Sequence, residues 1–192
     1  MNRYLWALIL ICGVAGCSKS TEPVPKTPSS SGYVEYVIPK GQHYATGTNL
    51  RLLEKKLLAF KVRFDSSCIY KVKAENAGDI NKLYGFSDCG ANHQVNSARF
   101  GWVWNGNAIE LYAYCYAESK RNSKLLGTVA IGREIELGLA VDPGKYVYTM
   151  NGFKEYMQRS CNNDTSESYQ LYPYFGGDEV APHDVRIFIK DL

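Results

Sequence analysis

Two alternating runs flank Asn105-Gly106 within Asn96–Tyr116, and this stretch constrains the chain more than any other. Asn-Gly between alternating segments is the strongest short hairpin signal, because Asn and Gly tolerate the positive φ of tight turns. A two-residue turn pairs Trp102 with Ile109, Phe100 with Leu111 and Ala98 with Ala113. That makes one face apolar. The other face pairs Gly101 with Glu110, Arg99 with Tyr112 and Ser97 with Tyr114. A four-residue turn keeps this parity and a three-residue turn reverses it.

Other segments repeat the pattern. Tyr33–Ile38, Leu58–Phe64, Cys68–Lys73, Lys82–Phe86, Lys124–Ile131, Glu134–Val141, Lys145–Met150, Phe153–Arg159, Tyr169–Phe175 and Val185–Ile189 read as short strands. Leucines at 50, 53 and 57 within Asn49–Lys56 leave room for one helical turn. Asp142-Pro143-Gly144-Lys145 has Pro and Gly where a type II turn needs them. Short strands separated by turn signals predict an all-β fold, a sandwich of two antiparallel sheets over residues 33–192.

Residues 1–16 contain a basic Arg3, an apolar run from Tyr4 to Ile11 and then small residues, the layout of a secretory signal. The run is shorter than the roughly 20 residues that span a bilayer. Val14-Ala15-Gly16-Cys17 resembles the lipobox of bacterial lipoproteins, which implies an acylated Cys17 anchored in lipid. The expected location is the cell envelope, and Ser18 after the cysteine favours the outer membrane. Residues 17–32 are rich in Ser and Pro, have no periodicity, and read as a tether.

The formal charge of +3, falling to +2 once Arg3 leaves with the signal, is too balanced for a nucleic-acid partner, and no basic run is present. P-loop, G-x-S-x-G, H-E-x-x-H and C-x-x-C motifs are absent. Of six cysteines, Cys12 leaves with the signal and Cys17 takes lipid. Cys68, Cys89, Cys115 and Cys161 remain in an oxidising compartment, where four cysteines allow three connectivities. Cys68 and Cys115 fall on apolar faces as core thiols. Cys89 and Cys161 sit among turn residues, so Cys89–Cys161 is the favoured bridge. Four buried reduced thiols are the alternative.

The strings Phe60-Lys-Val-Arg-Phe-Asp65, Asn96-Ser-Ala-Arg-Phe-Gly-Trp102, Tyr146-Val-Tyr-Thr-Met-Asn-Gly-Phe153 and Tyr172-Pro-Tyr-Phe-Gly-Gly-Asp-Glu-Val-Ala-Pro-His-Asp-Val185 occur in that order. The chain in this respect resembles the concanavalin-like jelly-roll domains of uncharacterised bacterial surface lipoproteins. The wider jelly-roll class includes lectins, glycan-binding modules, glycoside hydrolases and polysaccharide lyases, so the resemblance implies a polysaccharide partner. The fold alone does not choose among these. The Glu-x-Asp-x-x-Glu strand of retaining hydrolases is missing, since Glu134-Ile-Glu136 lacks a third carboxylate.

Three functional readings follow. In the first, the Arg99, Tyr112, Tyr114, Tyr116 and Ser97 face binds glycan: tyrosines match the apolar faces of sugar rings, and a guanidinium receives a carboxylate or sulfate. In the second, Arg99, Tyr112 and His93 act as a polysaccharide lyase on a uronate, with Arg99 neutralising the carboxylate and Tyr112 or His93 moving a proton. In the third, the protein is a structural envelope lipoprotein. By analogy with other jelly rolls, Asp184 and Asp178 are candidates for a structural calcium. The alternative is that Gly176-Gly177-Asp178-Glu179 is simply a solvated turn.

Overall fold

The computed structural model describes residues 31–54, 56–163 and 167–192. The signal segment, Cys17 and the tether up to residue 30 lie outside the described residues. Among the described residues eleven strands occur in chain order: β1 (Val34–Ile38), β2 (Leu57–Phe64), β3 (Asn81–Ser87), β4 (Ser97–Trp104), β5 (Ile109–Ala117), β6 (Lys120–Val129), β7 (Glu134–Asp142), β8 (Lys145–Met150), β9 (Phe153–Gln158), β10 (Gln170–Leu171) and β11 (Val185–Asp191). They form two antiparallel sheets, ordered β1-β11-β2-β7-β8-β9 and β10-β3-β4-β5-β6. The expected sandwich is present, with the jelly-roll layering of two sheets over one core.

The core follows from the alternation. Leu58, Phe60, Val62 and Phe64 of β2 face Phe100, Trp102, Leu111 and Ala113 of the central hairpin, and all are buried. Aromatic edges lock the two layers: Phe60 meets Phe100 at 5.7 Å and Phe64 meets Trp102 at 5.4 Å between ring centroids. Tyr146 and Tyr148 of β8 cross the core from the other sheet. Their hydroxyls donate to Asp88 Oδ2 (3.0 Å) and the Tyr114 carbonyl (2.8 Å), so neither polar tip is stranded.

Four expectations change in detail. The central hairpin turns through four residues, Asn105–Ala108. Asn105 Oδ1 accepts the amides of Asn107 and Ala108, and of the turn residues only Gly106 has positive φ. The register therefore slides by two: Arg99 pairs with Tyr114 and Ser97 with Tyr116, while each residue keeps its face. Cys68–Lys73 is not a strand. Ser66–Cys68 is a 3-10 turn held by Asp65, whose carboxylate accepts the Ser67 amide, and Cys68 still reaches the core. Tyr169–Phe175 is strand only at Gln170–Leu171. Pro173 has no N–H to donate, and β3 bulges opposite it, so pairing resumes only at Tyr174 with Lys82. Asn49–Lys56 has no helix among its described residues; Leu52 bridges Tyr169 instead.

Cys89 and Cys161 form the expected disulfide, closing a separation of 72 residues. Cys68 and Cys115 are free and buried. Burial holds the Cys115 thiol up at about 11. Beside the bridge, Asp88 is fully buried. It accepts from Arg159 Nε (2.6 Å), Lys56 Nζ (2.9 Å), Tyr146 and the Cys89 amide (2.8 Å).

Candidate functional site

The outer face of the β10-β3-β4-β5-β6 sheet carries a cavity of about 460 Å³, within the size range of small-molecule sites. Its floor is the central hairpin: Arg99 and Ser97 of β4, Tyr114 and Tyr116 of β5, flanked by Lys82 of β3 and Arg121 of β6. Three connections raise the walls: Tyr44 to Thr48 after β1, His93 and Gln94 between β3 and β4, and Tyr169 to Asp178 before β11.

The β-bulge shapes this floor. Lys82 pairs with Gly101 and Gly85 with Arg99, so Leu83 and Tyr84 together oppose Phe100 and both turn into the core. The extra residue lets Lys82 and Gly85 share the outer face, although their spacing in sequence is odd. Gly85 has no substitute. A Cβ there would lie 2.2 Å from the Ala98 carbonyl oxygen and 2.3 Å from Arg99 Cβ, so its bare backbone leaves the room that Arg99 occupies.

Arg99 is only 8% exposed. Its guanidinium has no hydrogen bond or ion pair to an acidic group among the described residues, and Tyr114, Tyr116 and Tyr169 line the cavity with it. Burial lowers its pKa to about 10, so it remains a cation at neutral pH. Lys82 donates to the Gly176 carbonyl at 2.7 Å and lies 5.7 Å and 5.4 Å from the ring centroids of Tyr114 and Tyr174. Burial, followed by repulsion from Arg99, brings its pKa down to about 8. Three cations thus line the cavity, against the single carboxylate of Asp178.

His93 and Tyr169 form a pair at the wall. The Tyr169 hydroxyl accepts the His93 amide N–H and lies 3.1 Å from His93 Nδ1. The ring tautomer sets which of the two donates across that second contact. Burial and the nearby Arg99 charge lower the His93 pKa, keeping the ring neutral.

Of the residues marked out in the sequence, Arg99, Ser97, Tyr114, Tyr116 and His93 meet in this one cavity. Tyr112 does not. It shares their face but lies nearer the turn, beside the bulge at Leu111/Tyr112, and its hydroxyl donates to Glu110 Oε2 at 2.6 Å. Burial and that carboxylate hold its phenol up at about 12. Tyr114 is 4% exposed, because the segment leading to β11 folds over the face that the hairpin alone would leave to solvent. Sequence reasoning missed Lys82, Tyr169, Tyr44 and Tyr174. The visible signal was the Tyr172-Pro173-Tyr174 string, whose route past β3 depends on the bulge.

Asp178 lines the cavity beside Lys82, whereas Asp184 Oδ1 accepts the Lys40 amide at 2.9 Å. A calcium on Asp178 would face Lys82, Arg99 and Arg121, so the residues present do not fit that ion. Among the described residues, Asp88, Cys89 and Cys161 make the one cluster of three potential metal donors, and both sulfurs are in the disulfide.

No protein-family model and no curated protein matches the chain. Solved structures do. An alginate lyase from Alteromonas sp. 272 superposes with a TM-score of 0.50 at 9% identity, covering 89% of this chain and 88% of that one. A Bacteroides ovatus mixed-linkage glucan GH16 protein in complex with its product gives 0.53 at 8% identity, covering 83% and 81%. A laminarinase from Flavobacterium sp. UMI-01 gives 0.52 at 8% identity, covering 84% and 79%. At such identities the likeness establishes the fold, an antiparallel sandwich of the concanavalin-like jelly-roll type, and leaves the chemistry to be argued from the residues.

Proposed function

We propose that this protein is a lipid-anchored cell-envelope protein that binds an acidic glycan in the cavity over the central hairpin. One observation carries the reading: Arg99 is a buried guanidinium that opens on a cavity and has no acidic partner among the described residues. A buried charge is costly unless paired, and an anionic ligand group supplies the partner. Sugar rings then pack on tyrosine faces, for which Tyr44, 70% exposed at the cavity, is the outermost platform. The glycan-active proteins among the structural neighbours support the ligand class. The lipobox-like Val14–Cys17 string supports the anchor.

Calorimetry with an oligogalacturonate, a sulfated galactan oligosaccharide and a neutral laminari-oligosaccharide tests the reading. An acidic ligand should bind, and Arg99→Gln should weaken it about 10- to 100-fold, the worth of a hydrogen bond to a charged group. Tyr44→Ala should weaken binding without altering stability. Equal binding of neutral and acidic ligands, or an unaffected Arg99→Gln, refutes it.

A second reading rests on the His93–Tyr169 pair beside Arg99. In a lyase acting on a uronate, Arg99 neutralises the carboxylate and one member of the pair removes the C5 proton. The C4–O bond breaks, a C4=C5 double bond forms, and the departing oxygen takes a proton from the other member. Tyr169 fills the role first considered for Tyr112. Ultraviolet absorbance from unsaturated products of a uronate polymer would select this reading, and unchanged polymer would select binding alone.

A further inference from the structure

We propose that Lys82 is the second cation of this site: it and Arg99 grip one anionic group of the ligand between them, and Lys82 sets how that grip depends on pH. This rests on the acidic-ligand reading and adds to it a two-cation subsite with linked proton uptake.

Lys82 pairs with Gly101, which places it diagonally across from Arg99 on the same face. Such diagonal neighbours have α-carbons about 7–8 Å apart, a gap that two long side chains bracketing one oxyanion can fill. The bulge exists at the step that puts Lys82 there. Among the described residues its Nζ has one hydrogen bond, to the Gly176 carbonyl, and an ammonium has three donors. The rings of Tyr114 and Tyr174 flank it.

The charges facing Lys82 come from every side of the cavity. Arg99 on β4 and Arg121 on β6 disfavour its proton, while Asp79 before β3 and Asp178 before β11 favour it. Neither carboxylate has an ion pair with it among the described residues, and burial with Arg99 prevails, leaving Lys82 half-charged near pH 8. An oxyanion between Arg99 and Lys82 reverses this balance, because it screens Arg99 and gives the ammonium a counter-charge. Binding therefore raises the proton affinity of Lys82. By linkage, anion affinity is flat where Lys82 is already charged. It falls, by up to about tenfold per pH unit, above the pKa of the free site.

The experiment titrates wild type, Lys82→Gln, Lys82→Arg and Arg99→Gln with sodium sulfate, followed by NMR, and with tri-galacturonate, followed by calorimetry, from pH 6 to pH 10. Thermal melts confirm that each variant is folded, and Lys82→Arg keeps the cation should Lys82→Gln fail to fold. Lys82→Gln should bind about tenfold more weakly below pH 8 and lose the fall above it, as expected for one charge-assisted hydrogen bond removed. Lys82→Arg should keep the affinity and hold it to higher pH, because arginine stays charged. If Arg99→Gln loses binding while Lys82→Gln keeps the affinity and pH profile of wild type, this proposal is overturned and the acidic-ligand reading stands. If neither probe binds wild type, or Arg99→Gln binds like wild type, both are overturned.

Discussion

Replacing Asp88 with alanine should destabilise this domain more than any other single polar substitution. The carboxylate is fully buried and sits between two cations that are themselves almost fully buried, Arg159 at 2.6 Å and Lys56 at 2.9 Å. Tyr146 and the Cys89 amide complete its acceptor set. Truncation leaves two buried cations without the carboxylate between them, a loss of about 3–5 kcal/mol. Replacing the network by apolar side chains of similar volume, Asp88→Leu with Arg159→Met, should recover part of that loss. Urea unfolding with the disulfide intact measures both. The pH dependence gives a second readout. Burial pushes the Asp88 carboxyl up, but the hydrogen bonds from Arg159 and Lys56 outweigh it and hold the pKa below the ordinary value. A depressed folded pKa stabilises the fold above the unfolded value of about 3.9, and that stability is lost as pH falls through the folded value. Wild type should therefore lose stability steeply below about pH 4, and Asp88→Ala less so. A loss under about 1 kcal/mol in Asp88→Ala, or the same acid slope in both proteins, would refute the argument.

Trp102→Ala should lose about 3–5 kcal/mol in the same assay, since the ring is fully buried between Phe64, Tyr70 and Phe175. Trp102→Phe should lose much less, because it also removes a buried indole N–H that has no acceptor among the described residues; equal losses would be evidence against that account. The Cys89→Ala, Cys161→Ala double variant should be less stable by about 4 kcal/mol in the chain-entropy model for this loop length. A midpoint like that of wild type would show that the bridge does not constrain the unfolded chain. Cys17→Ser should move the protein from the detergent phase to the aqueous phase in phase separation, and continued membrane partitioning refutes lipid anchoring at that residue.

Much of the sandwich was legible because its strands alternate. Face parity at Phe100, Trp102, Leu111 and Ala113 depends only on the period of two, and it survived a register two residues away from the expected one. The disulfide was legible because Cys89 and Cys161 lie among turn residues while Cys68 and Cys115 lie on apolar faces. The site was legible only in part. Arg99, Ser97, Tyr114 and Tyr116 belong to one hairpin, so local pairing brings them together. Lys82, Tyr169 and Tyr44 join them through non-local routes: a bulge that breaks the alternation of β3, and isolated bridges joining Tyr44 to Tyr174 and Tyr174 to Lys82. No short-range pattern encodes these. Tyr112 illustrates the converse, since correct parity put it on the right face while its position along the strand left it outside the cavity.

The least regular segment of the domain is thus also the one that builds the site, and its placement depends on the buried network next to the disulfide. Cys161 anchors the chain ahead of the cavity wall. The Gly90 and Ser87 amides then donate to the Glu167 and Tyr169 carbonyls, and the Tyr169 amide donates to Ser87 Oγ. These bonds attach the wall to the end of β3, the point from which Asp88 reaches back to Lys56 and Arg159. Tyr169, the partner of His93, is therefore positioned by the groups that the acid-sensitive Asp88 network holds in place. The wall has two strand residues in its length and is otherwise held by separate bonds to the segments after β1 and to β3, and local opening starts in such a segment before it starts in a continuous ladder. Removing the disulfide or Asp88 should accordingly loosen the His93–Tyr169 side of the cavity before the hairpin floor, because Arg99 and Tyr114 are paired across β4 and β5 and have the packed core beneath them.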